Sequence, residues 1–328
     1  MNVTVTGGTG FIGSRLASNC LARGDRVTVL GQANTPAESD NVARLAKAGV
    51  RLVQGSITDP GVVATALTGA EVVFHLAATQ HEMNVPDQRF WDVNVGGTKL
   101  LLRTAAELGL RRVVHGSTIG VYGALEGTID ESTPPKPDNI YGVTKLEAER
   151  AVLAHAGPPS VVVVRIPEVY GPGDRRLLKL FRAIDRNVFF TIGSGRNLHH
   201  PIFVDDLVQG FLLAAEAERA AGQMVLFAGP AAVSTREMVD AIATALGRRG
   251  SRFTVPLLPV WYAAAAMELT LRPLGIQPPL HRRRMDFFRK SFALRSLRAR
   301  ALVGFEPRTE FAEGAKATAD WYRTQGLL

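Results

Sequence analysis

Apolar and polar positions follow two rhythms along this chain. Residues 1–13, MNVTVTGGTGFIG, open on the alternation Val3, Val5 of a buried strand and run straight into glycines at 7, 10 and 13. Beyond Gly13, Leu16, Ala17, Cys20 and Leu21 recur at helical spacing. The same alternation of rhythms then repeats. It predicts strands at Arg26–Leu30, Val50–Gln54, Val72–Leu76, Arg112–His115 and Val161–Ile166, and helices near Pro60–Leu67, Asp92–Leu108 and Tyr141–His155. A repeated βαβ order implies an α/β protein with a doubly wound parallel sheet, helices on both faces. After Pro167 the rhythm loosens. A turn at Gly171-Pro172-Gly173 precedes an amphipathic helix at Leu177–Ile184. A short strand at Pro201–Val204 leads through Asp205-Asp206 into a helix ending near Ala217, and Met224–Phe227 reads as a further strand. Ser234-Thr235-Arg236-Glu237 starts a capped helix that ends at Gly247. The expected division is a dinucleotide-binding domain over 1–166, rejoined by roughly 202–228, and a smaller substrate-binding domain made mainly from 167–328.

A strand, a GxxGxxG turn and a helix form a dinucleotide-binding unit. Gly7 allows the tight turn, Gly10 lets the backbone approach a pyrophosphate, and Gly13 lets helix and strand pack closely. The amides of Phe11 and Ile12 then stand at a helix N-terminus, where free N–H groups suit a diphosphate. An acid about 20 residues on usually grips the ribose of NAD, and a basic residue accommodates NADP. This chain has Gly31-Gln32 there. Arg15 and Arg44 are candidate phosphate partners, and both NAD and NADP stay open.

Candidate chemistry follows the strand ends. Tyr141 and Lys145 are four apart on one helix, so they share a face. An ammonium near a phenol stabilises the phenolate, making Tyr141 a usable proton donor and acceptor. Thr118 or Ser117, at the end of the fifth strand, can hold a substrate oxygen. Small residues Leu76-Ala77-Ala78 after the fourth strand admit a ligand closely, and Gln80 and His81 follow in a mouth loop. His75, inside that strand, reads as a core histidine.

Composition narrows the setting. The single cysteine, Cys20, forms no internal disulfide and reads as a small core residue in a reducing compartment. No basic leader precedes the first strand, and Glu268 breaks the longest apolar run, Val255 to Leu271. A cytoplasmic protein without a membrane span is expected. The net charge of +8 is concentrated late, at Arg272, Arg282, Arg283, Arg284, Arg289, Lys290, Arg295, Arg298 and Arg300. No nucleic-acid motif accompanies it, so the excess reads as a solvated face or a site for an anionic substrate. His199 and His200 are neighbours on a predicted strand and point to opposite faces, so no metal site is expected.

The ordered string TGGTGFIG, FHLAA, NVGGT, VYG, YGVTK, VYGPGD, FVDDL and LVGFEPRT resembles the extended short-chain dehydrogenase/reductases, in the NAD-dependent epimerase/dehydratase branch, over nearly the whole chain. The resemblance implies a catalytic triad of Thr118, Tyr141 and Lys145. It also implies cofactor contacts from Ser56, Ile57, Leu76, Ala77, Ala78, Asn94, Ser117 and Pro167, beside the glycines. Lys145 would bond cofactor ribose. Gln80, His81, Glu168 and His200 fall at substrate positions, and a homodimer through the helices holding Lys99–Leu108 and Tyr141–Leu153 is implied. Departures narrow the substrate. The family's 4,6-dehydratases carry Asp-Glu after the catalytic threonine, where this chain has Ile119-Gly120. Glu168 replaces a usual asparagine, His199-His200 replace the Arg-Asp whose arginine contacts diphosphate, and Ser56 replaces an aspartate at the adenine contact. Pro256–Pro259 and Trp261–Ala263 are similar to apolar covers in steroid and flavonoid branches. Arginines 282–284 could instead supply the missing diphosphate ligand. The expected activity is interconversion of a secondary alcohol and a ketone. A nucleotide-sugar 4-epimerase or 4-ketoreductase using the same triad is the alternative, and a non-catalytic cofactor-binding regulator is a third.

Overall fold

The computed structural model describes residues 1–80, 85–124, 126–250, 253–271 and 287–328. Its main sheet has seven parallel strands: β1 (Asn2–Thr6), β2 (Arg26–Gly31), β3 (Arg51–Gln54), β4 (Val72–His75), β5 (Arg112–Thr118), β6 (Ser160–Ile166) and β7 (Gln223–Leu226). They lie in the order β3-β2-β1-β4-β5-β6-β7, the arrangement of a dinucleotide-binding sheet with its switch point between β1 and β4. The strands read as apolar runs because both faces are covered. Val72, Phe74, Val114, Val162 and Val164 enter one core, while Val73, Val113, Val161 and Val163 enter the other. Side chains two apart share a face, so one residue of register error would exchange the two cores.

Helices α1 (Phe11–Ala22) and α8 (Val204–Glu216) cover the first face with Leu16, Ala17, Cys20, Leu207 and Phe211. Helices α3 (Pro60–Leu67), α5 (Gly97–Glu107) and α6 (Ile140–Leu153) cover the second. The predicted Asp92–Leu108 helix is a π-helical turn at Trp91–Gly96 followed by α5, and a short helix α4 (Asp87–Phe90) leads into it. Helix α2 (Pro36–Lys47) was not anticipated, although Thr35 and Glu38 close a capping box at its start.

A third core forms beyond the sheet. It joins Leu178 and Phe181 of α7 (Leu178–Asp185), Met238 and Ile242 of α9 (Thr235–Leu246), and Phe311 and Tyr322 of the C-terminal helix Phe311–Thr324. Two contacts fasten this layer to the sheet's carboxyl edge. The Tyr322 hydroxyl donates to the Asp174 carbonyl at 2.6 Å. The Asp206 carboxylate accepts from the amides of Arg308 and Thr309 at 3.1 and 2.8 Å. Helix α10 (Leu257–Leu271) contains the predicted apolar cover. Leu258 and Tyr262 on it are exposed, whereas Glu268 is buried. Among the described residues no helix is long and apolar enough to cross a membrane.

The closest packing is at the glycine turn. A Cβ on Gly13 would lie 2.3 Å from the Gly7 carbonyl, and one on Gly7 2.7 Å from the Ala77 amide, where Gly7 also has φ +66°. Gly13→Ala is expected to cost about 1–3 kcal/mol through overpacking. It should appear as a lower urea midpoint at unchanged slope.

Candidate active site

The strand ends on either side of the switch point enclose a cavity of about 670 Å³. One end is the glycine turn. Gly10 caps α1 with no side-chain partner, so the first amides of that helix face the cavity without a capping group. Gly7, Gly10, Phe11, Ile12 and Gly13 line this end, with Leu76, Ala77 and Ala78 opposite. A cradle that no side chain could occupy, beside free helix-terminal amides, fits a dinucleotide diphosphate. Ser56 and Ile57 line the far wall, together with Gln32, Asn34 and Thr35 from the β2–α2 connection and Glu38 in the first turn of α2. The Glu38 carboxylate accepts from the amides of Asn34 and Thr35, both at 2.9 Å.

The other end holds Ser117, Thr118, Tyr141, Lys145 and Pro167, with Gln80 at the rim. Asn139 caps α6 by accepting from the Gly142 amide at 3.0 Å, which fixes the start of the helix that carries Tyr141 and Lys145. Burial pushes the Tyr141 phenol up to about 12, opposed by its hydrogen bond to Thr118 and by the charge of Arg176. The Lys145 ammonium bonds down onto β5, donating to the Gly116 carbonyl at 2.7 Å with His115 Nε2 at 3.3 Å. Burial lowers its pKa to about 8, against the opposing charge of Glu149. Arg176 is held by its Nε bond to Asp174 at 3.0 Å and its Nη2 bond to the Val169 carbonyl.

Several expected contacts sit differently. Asn94 is buried and does not line the cavity. Its amide accepts from the Thr79 amide at 2.8 Å and donates to the Thr79 carbonyl and to Thr144, so it holds the loop after β4. The Ser117 hydroxyl donates to Glu149 while the residue lines the cavity, so only its acceptor lone pairs remain for a ligand. Glu168 lies outside the lining, with His199 Nδ1 3.5 Å from its carboxylate. His200 is buried and spent on the protein: Nε2 donates to the Gly229 carbonyl at 2.9 Å and Nδ1 accepts from the Leu294 amide at 2.9 Å. His199, where a diphosphate-binding arginine was expected, is stacked on Phe287 with ring centroids 4.4 Å apart, its Nε2 bonded to Thr235. His81 and arginines 282–284 lie outside the described residues. Arg15 is paired with Asp205 and Arg44 bonds Ser18 and Asn41, and neither lines the cavity. Sequence reasoning missed Arg89, Arg176 and Glu38 in the wall. Only the capping-box spacing of Thr35 and Glu38 offered a signal.

The family model for NAD dependent epimerases and dehydratases matches residues 3–227. The chain belongs to this NAD-dependent family. A dTDP-glucose 4,6-dehydratase of Streptomyces niveus is 29% identical over 98% of this chain and 93% of its own. A 4-hydroxy-2-methyl-3-oxo-4-farnesyl-3,4-dihydroquinoline-1-oxide ketoreductase of Stigmatella aurantiaca is 29% identical, covering 97% and 95%. Among solved structures, MoeE5 in complex with UDP-glucose and NAD is 27% identical, covers 99% of both chains and superposes with a TM-score of 0.76. The epimerase/dehydratase family thus spans dehydratase and ketoreductase chemistries at nearly equal distance from this chain, and the site must distinguish them.

Beneath the site lies a polar layer that this family member buries completely. Arg165 donates bidentately to Glu149 and at 2.7 Å to the Tyr122 hydroxyl. His75 bridges Thr6 at 2.7 Å and Thr98 at 2.9 Å. Arg165→Met leaves the buried Glu149 without its charge partner and should cost about 3–5 kcal/mol by urea unfolding. Adding Glu149→Leu should recover most of that loss. Burial, helped by the Lys145 charge, pulls His75 down to about 3. The unfolded histidine titrates near 6.5, so as pH falls the unfolded chain takes the proton first. Stability from His75 is full above about 6.5 and declines by about 1.4 kcal/mol per pH unit toward 3. His75→Gln should flatten that decline in urea midpoints compared between pH 7 and 5.

Proposed function

We propose that this chain interconverts a secondary alcohol and a ketone, with Thr118, Tyr141 and Lys145 as the reacting set. The carrying observation is that all three line one end of a cavity whose other end is the glycine cradle. A bound nicotinamide dinucleotide would supply or accept the hydride there. Tyr141, with its phenol held protonated, suits carbonyl reduction: it gives its proton to the substrate oxygen as the carbonyl carbon gains the hydride. Thr118, hydrogen-bonded to Tyr141, orients the same oxygen. In the oxidation direction the proton returns from the alcohol to the phenolate, which Arg176 and Thr118 favour.

The dinucleotide is proposed to be NAD rather than NADP. Glu38 places a carboxylate in the wall beyond β2, and Arg15 and Arg44 are engaged elsewhere. Ile119 and Gly120 supply no acid or base for dehydration. His199 is packed among protein groups, which weakens a diphosphate site and supports a reductase for a ketone without a nucleotide. The second reading, a nucleotide-sugar 4-epimerase, is favoured by Arg89 and Arg176 in the wall. A pairing of two chains through the outer faces of α5 and α6 is consistent with exposed Trp91, Leu108 and Leu153 there.

Tyr141→Phe should lower turnover by about 10²–10⁴-fold while leaving NAD affinity within a few fold of the parent. Full turnover in that variant overturns the assignment. The substrate class is tested by thermal shift with saturating NAD, with and without UDP, dTDP or GDP. A ligand at about 100 times its Kd adds roughly 2.7 kcal/mol. A nucleoside diphosphate that raises the melting temperature further supports the epimerase. No additional rise supports the ketone reductase.

A further inference from the structure

Lys145 reaches β5 at a residue that the reaction scheme does not use. The side chain is 2% exposed, so each N–H of its ammonium needs a fixed acceptor. The Gly116 carbonyl takes one at 2.7 Å, and among the described residues His115 Nε2 is the side-chain atom within reach, at 3.3 Å. For Nε2 to accept, the imidazole must be neutral with its proton on Nδ1. That Nδ1 has no hydrogen-bond partner among the described residues. An unpaired buried donor costs about 1–3 kcal/mol. Leucine or phenylalanine at this wholly buried position would avoid that cost, so what the histidine contributes is its Nε2 lone pair.

We propose that His115 is a positioning residue for Lys145: its Nε2 lone pair and the Gly116 carbonyl fix two N–H groups of the ammonium, leaving the third for the cofactor ribose. The proposal rests on the assignment of Lys145 to the cofactor. The surrounding charges are consistent with it. Burial, the Lys145 charge and the His75 ring 5.1 Å away all disfavour an imidazolium at 115. Glu149, one turn along α6, is the carboxylate that acts on Lys145, and it is itself held by Arg165 and Ser117. Tyr141 lies one turn before Lys145, and Arg176 bears on it from the loop after β6. His115 therefore acts as a neutral acceptor throughout the working pH range.

The test compares the parent with His115→Phe, which removes the lone pair, and His115→Gln, whose amide oxygen restores an acceptor. His115→Met replaces the phenylalanine variant if that chain does not fold. Two readouts are taken. One is the titration of Lys145 by ¹³C NMR of protein labelled at lysine Cε, assigned with Lys145→Met and needing no cofactor. The other is NAD affinity by calorimetry at pH 7. Loss of an acceptor destabilises the charged amine, so the Lys145 midpoint should fall in His115→Phe and recover in His115→Gln. NAD should bind about fivefold more weakly in His115→Phe, the equivalent of one ordinary hydrogen bond. The same substitution should have no effect in a Lys145→Met background. An unchanged Lys145 midpoint in His115→Phe overturns the proposal. So does an equal loss of affinity with and without Lys145, because His115 would then act through the fold. A shifted midpoint with NAD binding indifferent to both His115→Phe and Lys145→Met supports the hold on the ammonium and overturns instead the assignment of Lys145 to the cofactor.

Discussion

The buried Glu149–Arg165 pair governs the geometry of the site. Tyr141, Lys145 and Glu149 follow one another at four-residue intervals on α6, so they form a single stripe facing the sheet. A stripe of ionisable groups can be buried only if every member finds a partner. Glu149 finds Arg165 on β6 and Ser117 on β5, and Lys145 finds Gly116 on β5. Those bonds fix the rotation and height of α6 over two strands, and Tyr141 follows at the cavity. Such a pair is weak as a source of stability. Its value is that α6 has one register in which its charges are all matched.

A second constraint operates at the glycine end. No Cβ fits at Gly7, where the segment after β4 approaches the turn, or at Gly13, where α1 packs on the backbone of Gly7 and Gly8. The two ends of the cavity are therefore rigid for different reasons, one because side chains are absent and the other because charged side chains are paired. Between them the walls carry polar and charged side chains, including Gln32, Glu38, Arg89 and Arg176.

The chain made its architecture legible through period. Apolar runs such as Val161–Val164 and the helical spacing after Gly13 each specify one local structure, and their order leaves few topologies. The grouping of Thr118, Tyr141 and Lys145 at one end of the cavity was legible because Tyr141 and Lys145 are local to one helix and Thr118 ends a strand. What a side chain does with its partner was not legible. Lys145 lies four residues from Tyr141, yet its ammonium goes to β5, and no spacing within α6 encodes which carbonyl lies beneath. The partners of Asn94, Ser117 and His200 were hidden for the same reason, since each bonds a protein group distant in sequence. Arg176 went unread because its aim is set by Asp174 and the Val169 carbonyl, a turn geometry with no periodic signature.

The π-helical turn at Trp91–Gly96 bears on how this scaffold can be altered. A π turn accommodates one more residue than the α-helix around it. The helix before it and α5 after it are thus out of phase by about 100° of rotation, the angle of one residue. That offset lets Asn94 face the loop after β4 while Thr98, one turn later, meets His75. Deleting a single residue here would yield a smoother helix with a better-aligned ladder of hydrogen bonds. It would also swing one of those two side chains out of reach. The irregularity is a phase adjuster, and the loop at the cavity rim and the histidine under the sheet can both be served by one continuous segment only while it is kept.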